Sequence, residues 1–253
     1  MPRSERSKNE PHECQVCDHS RSVEEISLKP VHVTIDGPVA SGKSTVARIL
    51  ADRLGFAFLD TGALYRAVAF QALEQQIPLE EDPVDKLIAQ HMPEVVLDDL
   101  DPLTYRIRID GKLLGQELFA LPVSQAVSPI AAMPKVRQRL VGAQRTFAEG
   151  RDVVMAGRDI GTVVLPDARF KFYLTASIDA RVDRRLLELH ALGVLIDRET
   201  LHEEIMARDK RDTTRTVSPL ARASDAIEID TSHMTVDMVV DKLEHTVRVS
   251  PQR

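Results

Sequence analysis

The stretch "VTIDGPVASGKSTVAR", Val33 to Arg48, carries a β-rich apolar run directly into a glycine-framed loop and then into a helical pattern. Residues Gly37 to Ser44 read G-x-x-x-x-G-K-S, the spacing of a phosphate-binding loop. Gly37 and Gly42 let the backbone turn tightly, so that successive amide N–H groups can face phosphate oxygens at the start of the next helix. Lys43 is placed to reach the β and γ phosphates, and the Ser44 hydroxyl to complete the shell of a Mg²⁺ ion. Gly37, Pro38, Val39, Ala40, Ser41, Gly42, Lys43, Ser44 and Thr45 are therefore expected to hold ATP. A loop of this kind fixes the phosphate donor and leaves the acceptor open.

Outward from the loop the pattern stays α/β. "GKSTVARILADRLG" sets Val46, Ile49, Leu50 and Leu54 at helical spacing before Gly55, and "FAFLD" follows at once as a second short strand. That strand–helix–strand order implies a parallel sheet flanked by helices, because parallel neighbours need a crossover of this length. "DVVMAG", "FKFYLT" and "AIEID" read as further buried strands, with helices expected in "DARVDRRLLELHALG", "RETLHEEIMARDKR" and "TVDMVVDKLEHTVRV". The stretch from about Val95 to Leu114 differs. "TYRIRIDGKLL" alternates apolar and polar residues around Asp110 and Gly111, which marks an antiparallel hairpin and suggests an accessory subdomain inserted in the core.

The 253 residues and 43% hydrophobic content allow a sizeable packed core. A net charge of -6 argues against non-specific nucleic-acid binding, so an anionic ligand must be held by local arginine clusters. With no apolar run approaching about 18 residues and no signal-peptide stretch, the chain is expected to be cytoplasmic and free of membrane association. Residues 1–30 are polar and weakly patterned, and read as a mostly disordered extension. His12, Cys14, Cys17 and His19 within it are potential zinc ligands. Structural zinc sites spread their ligands over two knuckles separated by a longer loop, so zinc is not expected there.

Three further stretches bear on the acceptor. "LDTGALYR" puts Asp60 and Thr61 at the end of the second strand, where ligands collect in open α/β sheets, with Tyr65 and Arg66 on the next helix. "AGRDIGTVVLPDA" puts Arg158 and Asp159 just after another buried strand, and "ARDKRDTTRTVSPL" supplies Arg208, Arg211, Asp212 and Arg215. Guanidinium forks grip phosphate oxygens, and carboxylates accept from amino and hydroxyl donors. Taken singly, Arg66 or Arg208 reads as a solvated helix residue and Asp159 as a cap or ion-pair partner. Their joint appearance with the loop favours a nucleotide cleft.

At these residues the chain resembles the bacterial cytidylate kinases, P-loop nucleoside monophosphate kinases of pyrimidine nucleotide metabolism that move the γ-phosphate of ATP onto CMP or dCMP. The matching stretches are "TIDGPVASGKSTVARILADRLGFAFLDTGALYRA", "VSPIAAMPKVRQRL", "GRDIGTVVLPDA" and "RDKRDTTRTVSPL", in the family's order from Val31 onward. The resemblance implies one kinase domain over 31–253, with a CMP-binding insert at about 90–150 and an arginine-rich lid at about 181–222. It implies that Thr61, Tyr65 and Arg66 line the acceptor pocket, that Ser128 and Arg137 help read cytosine, and that Arg158 and Asp159 hold phosphate and sugar or base. Asp212 with Arg208 would bind the ribose, while Lys43, Arg158, Arg211 and Arg215 would serve the transferring phosphate. A monomer using Mg²⁺ with ATP is the family's usual state.

The family commonly carries an acidic residue just before G-R-D, where this chain has Ala156. Asp36 is a candidate to replace its contact with water around the Mg²⁺, or is instead structural. The rival readings are a P-loop kinase of another small acceptor (UMP, AMP or shikimate) and a P-loop protein using ATP for regulation or nucleic-acid work. The first lacks the combination of insert, "GRDIGTVV" and the arginine-rich segment; the second would be expected to show a basic surface or a bulky partner domain.

Overall fold

The computed structural model describes residues 29–191 and 193–249. Residues 1–28, which include His12, Cys14, Cys17 and His19, lie outside the described residues. Five parallel strands form the central sheet: β1 (His32–Asp36), β2 (Ala57–Asp60), β6 (Val153–Gly157), β7 (Phe170–Thr175) and β8 (Ile227–Asp230). Their order is β2-β6-β1-β7-β8, and every pairing is parallel. The chain leaves β1 towards β2 on one side and later fills the other side with β7 and β8. The crevice at the carboxyl end of β1 is thus a topological switch point, where open α/β sheets place their ligands. The register sets Asp36 beside Gly157 and Tyr173, and Asp60 beside Ala156, so the loops after β1, β2 and β6 emerge together.

Both faces of the sheet are covered, which explains the near-continuous apolar runs of its strands. On one face Val33, Ile35, Val154 and Ala156 pack with Leu50 of α1 (Lys43–Leu54) and with Val240 and Leu243 of α8 (Val236–Val249). On the other, Leu59, Val153 and Met155 pack with Ile160, Val164 and Phe147. A π-helical turn, Ile160–Val164, follows β6 directly.

The accessory unit contains the hairpin read from the sequence: β4 (Tyr105–Ile109) turns into β5 (Lys112–Leu114) through Asp110 and Gly111, at φ 49° and 79°. Positive φ at both central residues gives the turn whose twist matches that of the strands. A third antiparallel strand, β3 (Glu94–Leu97), pairs with β4 and is short and half-exposed, so the hairpin is part of a three-stranded sheet. After a 3-10 turn at Gln116–Phe119 come α4 (Leu121–Ala132) and α5 (Pro134–Ala148). Their apolar cluster is shared with α2 (Gly62–Glu74) and α3 (Glu81–Gln90), so the insert is fused to the helices before it. Tyr105 fastens it to the main sheet by an edge-to-face contact with Phe58 at 5.7 Å.

The helices α6 (Ile178–Ala191) and α7 (Arg198–Thr214) pack as a pair, with a small cluster of their own at Val182, Leu189, Leu201 and Ile205. Among the described residues no helix is long and apolar enough to cross a membrane.

Candidate active site

The phosphate loop runs from β1 to α1 with Gly37 at φ 154°, Ala40 at 57° and Gly42 at 85°. A Cβ on Gly37 would lie 2.1 Å from the carbonyl oxygen of Leu174, so glycine is required there by space. Gly42 caps α1 without any side-chain hydrogen bond, and the first turn has no acidic residue, so its N–H groups stay available to an anion. The Lys43 ammonium is buried and donates to the carbonyl of Pro38 at 2.9 Å. Burial first, and then the charge of Arg158, push its pKa well below the usual lysine range, a deficit that an arriving phosphate would reverse.

Beside this loop opens a cleft lined by residues of the main sheet's loops, of α2, α4 and α5, and of the α6–α7 pair. Lys43 and six arginines (66, 137, 158, 185, 208 and 215) line it, against the carboxylates Asp60, Asp159, Asp212 and Glu188. A chain of net charge -6 thus gathers a cationic excess at one place.

Away from the phosphate loop the cleft is built from a buried ion-pair chain. Arg137 of α5, 2% exposed, donates to Asp159 at 2.5 Å and to the carbonyl of Ala131 at 3.0 Å, and its guanidinium lies 5.3 Å over the Tyr65 ring. Arg158 donates to Asp212 at 2.9 Å, and Arg215 lies 3.7 Å from Asp159 and 3.6 Å from Asp212. Burial works to raise the Asp212 pKa, but Arg158 and Arg208 outweigh it and hold this carboxyl below the ordinary range. Arg208 is pushed down to about 10 by burial and by Arg158. Thr61 donates to the carbonyl of Ala156 at 3.0 Å, and Arg66 donates to Ser124 at 2.9 Å while lying over the Phe119 ring. Four buried polar atoms of cleft-lining residues have no hydrogen-bond partner: Ser128 Oγ, Arg137 Nε, Arg208 Nε and Arg215 Nη2. Orphaned donors concentrated in one cleft mark a place where a polar ligand completes the structure.

Most of the residues singled out in the sequence meet here: Val39, Ala40, Gly42 to Thr45, Thr61, Tyr65, Arg66, Ser128, Arg137, Arg158, Asp159, Arg208, Asp212 and Arg215. Gly37, Pro38 and Ser41 shape the loop from behind. Arg211 is not brought to the cleft. Successive helix residues point about 100° apart, and with Asp212 turned inward Arg211 is exposed along a neighbouring groove between α4 and the α6–α7 pair. Asp36 is structural in this arrangement: its two oxygens accept from the amides of Ile160 and Gly161 at 2.9 and 2.8 Å. Burial raises its pKa to about 6 against the pull of those two bonds. Sequence reasoning passed over Arg185 and Glu188, which line the cleft from α6 and pair at 2.8 Å. Their signal was present as the one-turn spacing within "ARVDRRLLELH", which reads equally well as a solvated face.

Among the described residues no group of three or more acidic, histidine or cysteine side chains could cage a metal. The Ser44 hydroxyl and the Asp60 carboxylate do line the cleft beside the loop. That sparse oxygen set fits Mg²⁺, which keeps several waters and takes its remaining ligands from substrate phosphates.

A family model described as cytidylate kinase matches residues 33–249. The cytidylate kinase of Pelotomaculum thermopropionicum is 46% identical over 223 residues, covering 88% of this chain and 97% of that protein. The cytidylate kinases of Caldanaerobacter subterraneus subsp. tengcongensis and Streptococcus pneumoniae are each 44% identical, over 218 and 225 residues. Each alignment covers 86% of this chain, and 95% and 97% of the respective relatives.

Proposed function

The chain belongs to the cytidylate kinase family, and from that premise we infer that it transfers the γ-phosphate of ATP to CMP and dCMP, yielding ADP with CDP or dCDP. The observation that carries the reading is one cleft holding both a phosphate loop and the buried Tyr65–Arg137–Asp159 and Arg158–Asp212 sets. A donor grip alone would serve any ATP-using protein.

Phosphoryl transfer asks the protein for alignment and for charge matched to the equatorial oxygens. In our reading the amides of the loop and Lys43 hold the β and γ phosphates. Ser44, with Asp60 nearby, would hold a Mg²⁺ ion, which would supply further positive charge to those oxygens. The acceptor is already a phosphate anion, so neutralising arginines matter more than a general base. Arg66 receives the CMP phosphate on exchanging its contact with Ser124. Ser128, Arg137 and Asp159 present a donor and acceptor edge to cytosine, and Asp212 with Arg208 accepts the ribose. Arg158 and Arg215 stand between the two phosphates. Closure of the lid excludes water, which strengthens this field and guards against ATP hydrolysis. The enzyme is taken to act as a cytoplasmic monomer without nucleic-acid partners. Arg211 is assigned to the lid surface and not to the transferring phosphate.

A panel of nucleoside monophosphates with Mg-ATP, scored for diphosphate product, tests the reading. CMP and dCMP should outperform UMP and AMP in kcat/KM by at least about 10²-fold, as expected where buried groups must each find a partner. Preference for AMP or UMP, or ATP turnover indifferent to CMP, would overturn it.

A further inference from the structure

Asp36 is the last residue of β1 and the residue immediately before the phosphate loop. Its carboxylate reaches across to the chain after β6 and accepts from two successive amides, Ile160 N at 2.9 Å and Gly161 N at 2.8 Å. Those amides directly follow Arg158 and Asp159. One buried side chain therefore ties the root of the donor loop to the root of the turn that presents two acceptor-side groups. The joint is tight on every side. A Cβ on Gly161 would come within 2.9 Å of Thr34 Oγ1 and 3.4 Å of Asp36 Oδ2, and one on Gly157 within 2.6 Å of both Ile160 Cδ1 and Thr61 Oγ1. Asp36 is 4% exposed, and each of its oxygens is committed to an amide, which leaves it poorly suited to orienting water around a cation in the cleft.

We propose that Asp36 is a positioning residue for phosphoryl transfer, a carboxylate clamp that fixes the distance between the phosphate loop and the Arg158–Asp159 turn. It touches neither nucleotide. It acts through two backbone amides, and it makes the gap between donor and acceptor phosphates a property of the sheet end instead of two independent loops. An aliphatic residue would fill the space and leave both N–H groups unpaired. Asparagine keeps one acceptor and sets an NH₂ group against the second amide, so it restores only half of the clamp.

This inference rests on the kinase reading above for its kinetic consequence, and on the amides alone for its structural one. The test uses the full chain with Asp36→Asn, Asp36→Ala and Gly161→Ala, the last pressing on the same joint from the opposite side. Three quantities are read: steady-state kcat with KM for CMP and for ATP, the Mg²⁺ concentration for half activity, and hydrogen exchange of the Ile160 and Gly161 amides. A 1 Å misplacement costs about 10²-fold, so kcat should fall by about that factor in Asp36→Ala and Gly161→Ala, and by less in Asp36→Asn. KM for CMP should rise, KM for ATP and the Mg²⁺ midpoint should move less than about twofold, and the two amides should lose protection. Unchanged kcat per folded molecule would overturn the proposal and leave a merely structural residue. A Mg²⁺ midpoint raised by more than about tenfold would overturn it in favour of a cation contact. If the unsubstituted chain makes no CDP, the kinase reading fails separately, and the amide exchange still decides whether the clamp exists.

Discussion

Replacing Asp159 by alanine strips the fully buried Arg137 of its carboxylate partner, and the cost can be worked from the contacts around it. Arg137 is 2% exposed, its Asp159 bond is 2.5 Å, its other donation goes to the carbonyl of Ala131, and its Nε has no partner. The stranded charge keeps only the Ala131 carbonyl and the Tyr65 ring beside it, and Arg215, 3.7 Å from Asp159, loses an attractive neighbour as well. Breaking a buried pair on one side costs about 3–5 kcal/mol. For a domain of this size that corresponds to a fall of about 6–20 °C in Tm. Urea unfolding of ligand-free protein measures the loss. The decisive comparison is a cycle with Arg137→Met, which keeps most of the volume and removes the charge. In that background Asp159→Ala should cost less than about 1 kcal/mol, giving a coupling of at least about 2 kcal/mol. Additivity within about 0.5 kcal/mol would refute the reasoning, because it would mean that Arg137 reaches solvent or another carboxylate in the free enzyme.

Lys43→Ala should lower kcat by about 10²–10³-fold with every acceptor, the range seen when a preorganised donor to the transition state is removed, and initial-rate assays at saturating Mg-ATP would show it. Gly37→Ala should yield protein that unfolds at markedly lower urea, since its Cβ would stand 2.1 Å from the backbone oxygen of Leu174; a midpoint within experimental error of the parent would contradict the loop geometry. Asp36 makes a prediction in pH. Its pKa is raised from 3.8 to about 6, so the folded state binds its proton more tightly and the carboxyl favours the fold most at acid pH. That contribution is fully present below 3.8 and is lost as pH climbs through 6, an interval worth about 3 kcal/mol. The stability of the parent relative to Asp36→Asn should therefore decline between pH 4 and pH 7, and a flat difference would contradict the assigned burial.

What could be read from the sequence divides along the range of the interactions involved. The phosphate loop, α1 with its Gly55 stop, and the Asp110–Gly111 turn are each determined within a few neighbouring residues, so spacing and residue type sufficed. The buried strands were visible as apolar runs, because both faces of a parallel sheet are covered. Strand β3 was not recognised as a separate element: "EVVL" is four residues long and only half-buried, and its identity comes from pairing with β4. Arg158 and Asp159 were flagged as site residues, but their partners lie far along the chain, Asp212 at 54 positions and Arg137 at 22. Asp36 shows the limit most plainly. Its partners are 124 and 125 residues away, and only the register of β1 against β6 brings them together. The exposure of Arg211 outside the cleft lining was illegible for the opposite reason, since motif membership says nothing about which way a helix is rotated.

The small cluster shared by α6 and α7 has an engineering consequence. Val182, Leu189, Leu201 and Ile205 pack chiefly with one another, and the segment meets the donor loop through Val39, whose carbonyl accepts from Arg181 at 3.3 Å. Arg181 also holds Asp209 at 2.6 Å, which braces the two helices against each other. The span from 178 to 214 thus has packing of its own and is tied to the core by Arg181 to the loop, by Arg184 to Thr231 and by Asp212 to Arg158. Exchanging it for the corresponding span of a relative would replace Arg185, Arg208 and Asp212 of the cleft along with the packing, while leaving Tyr65, Ser128 and Arg137 in place. Any such transplant must keep the Asp212 carboxylate, because its bond to Arg158 joins this span to the turn after β6.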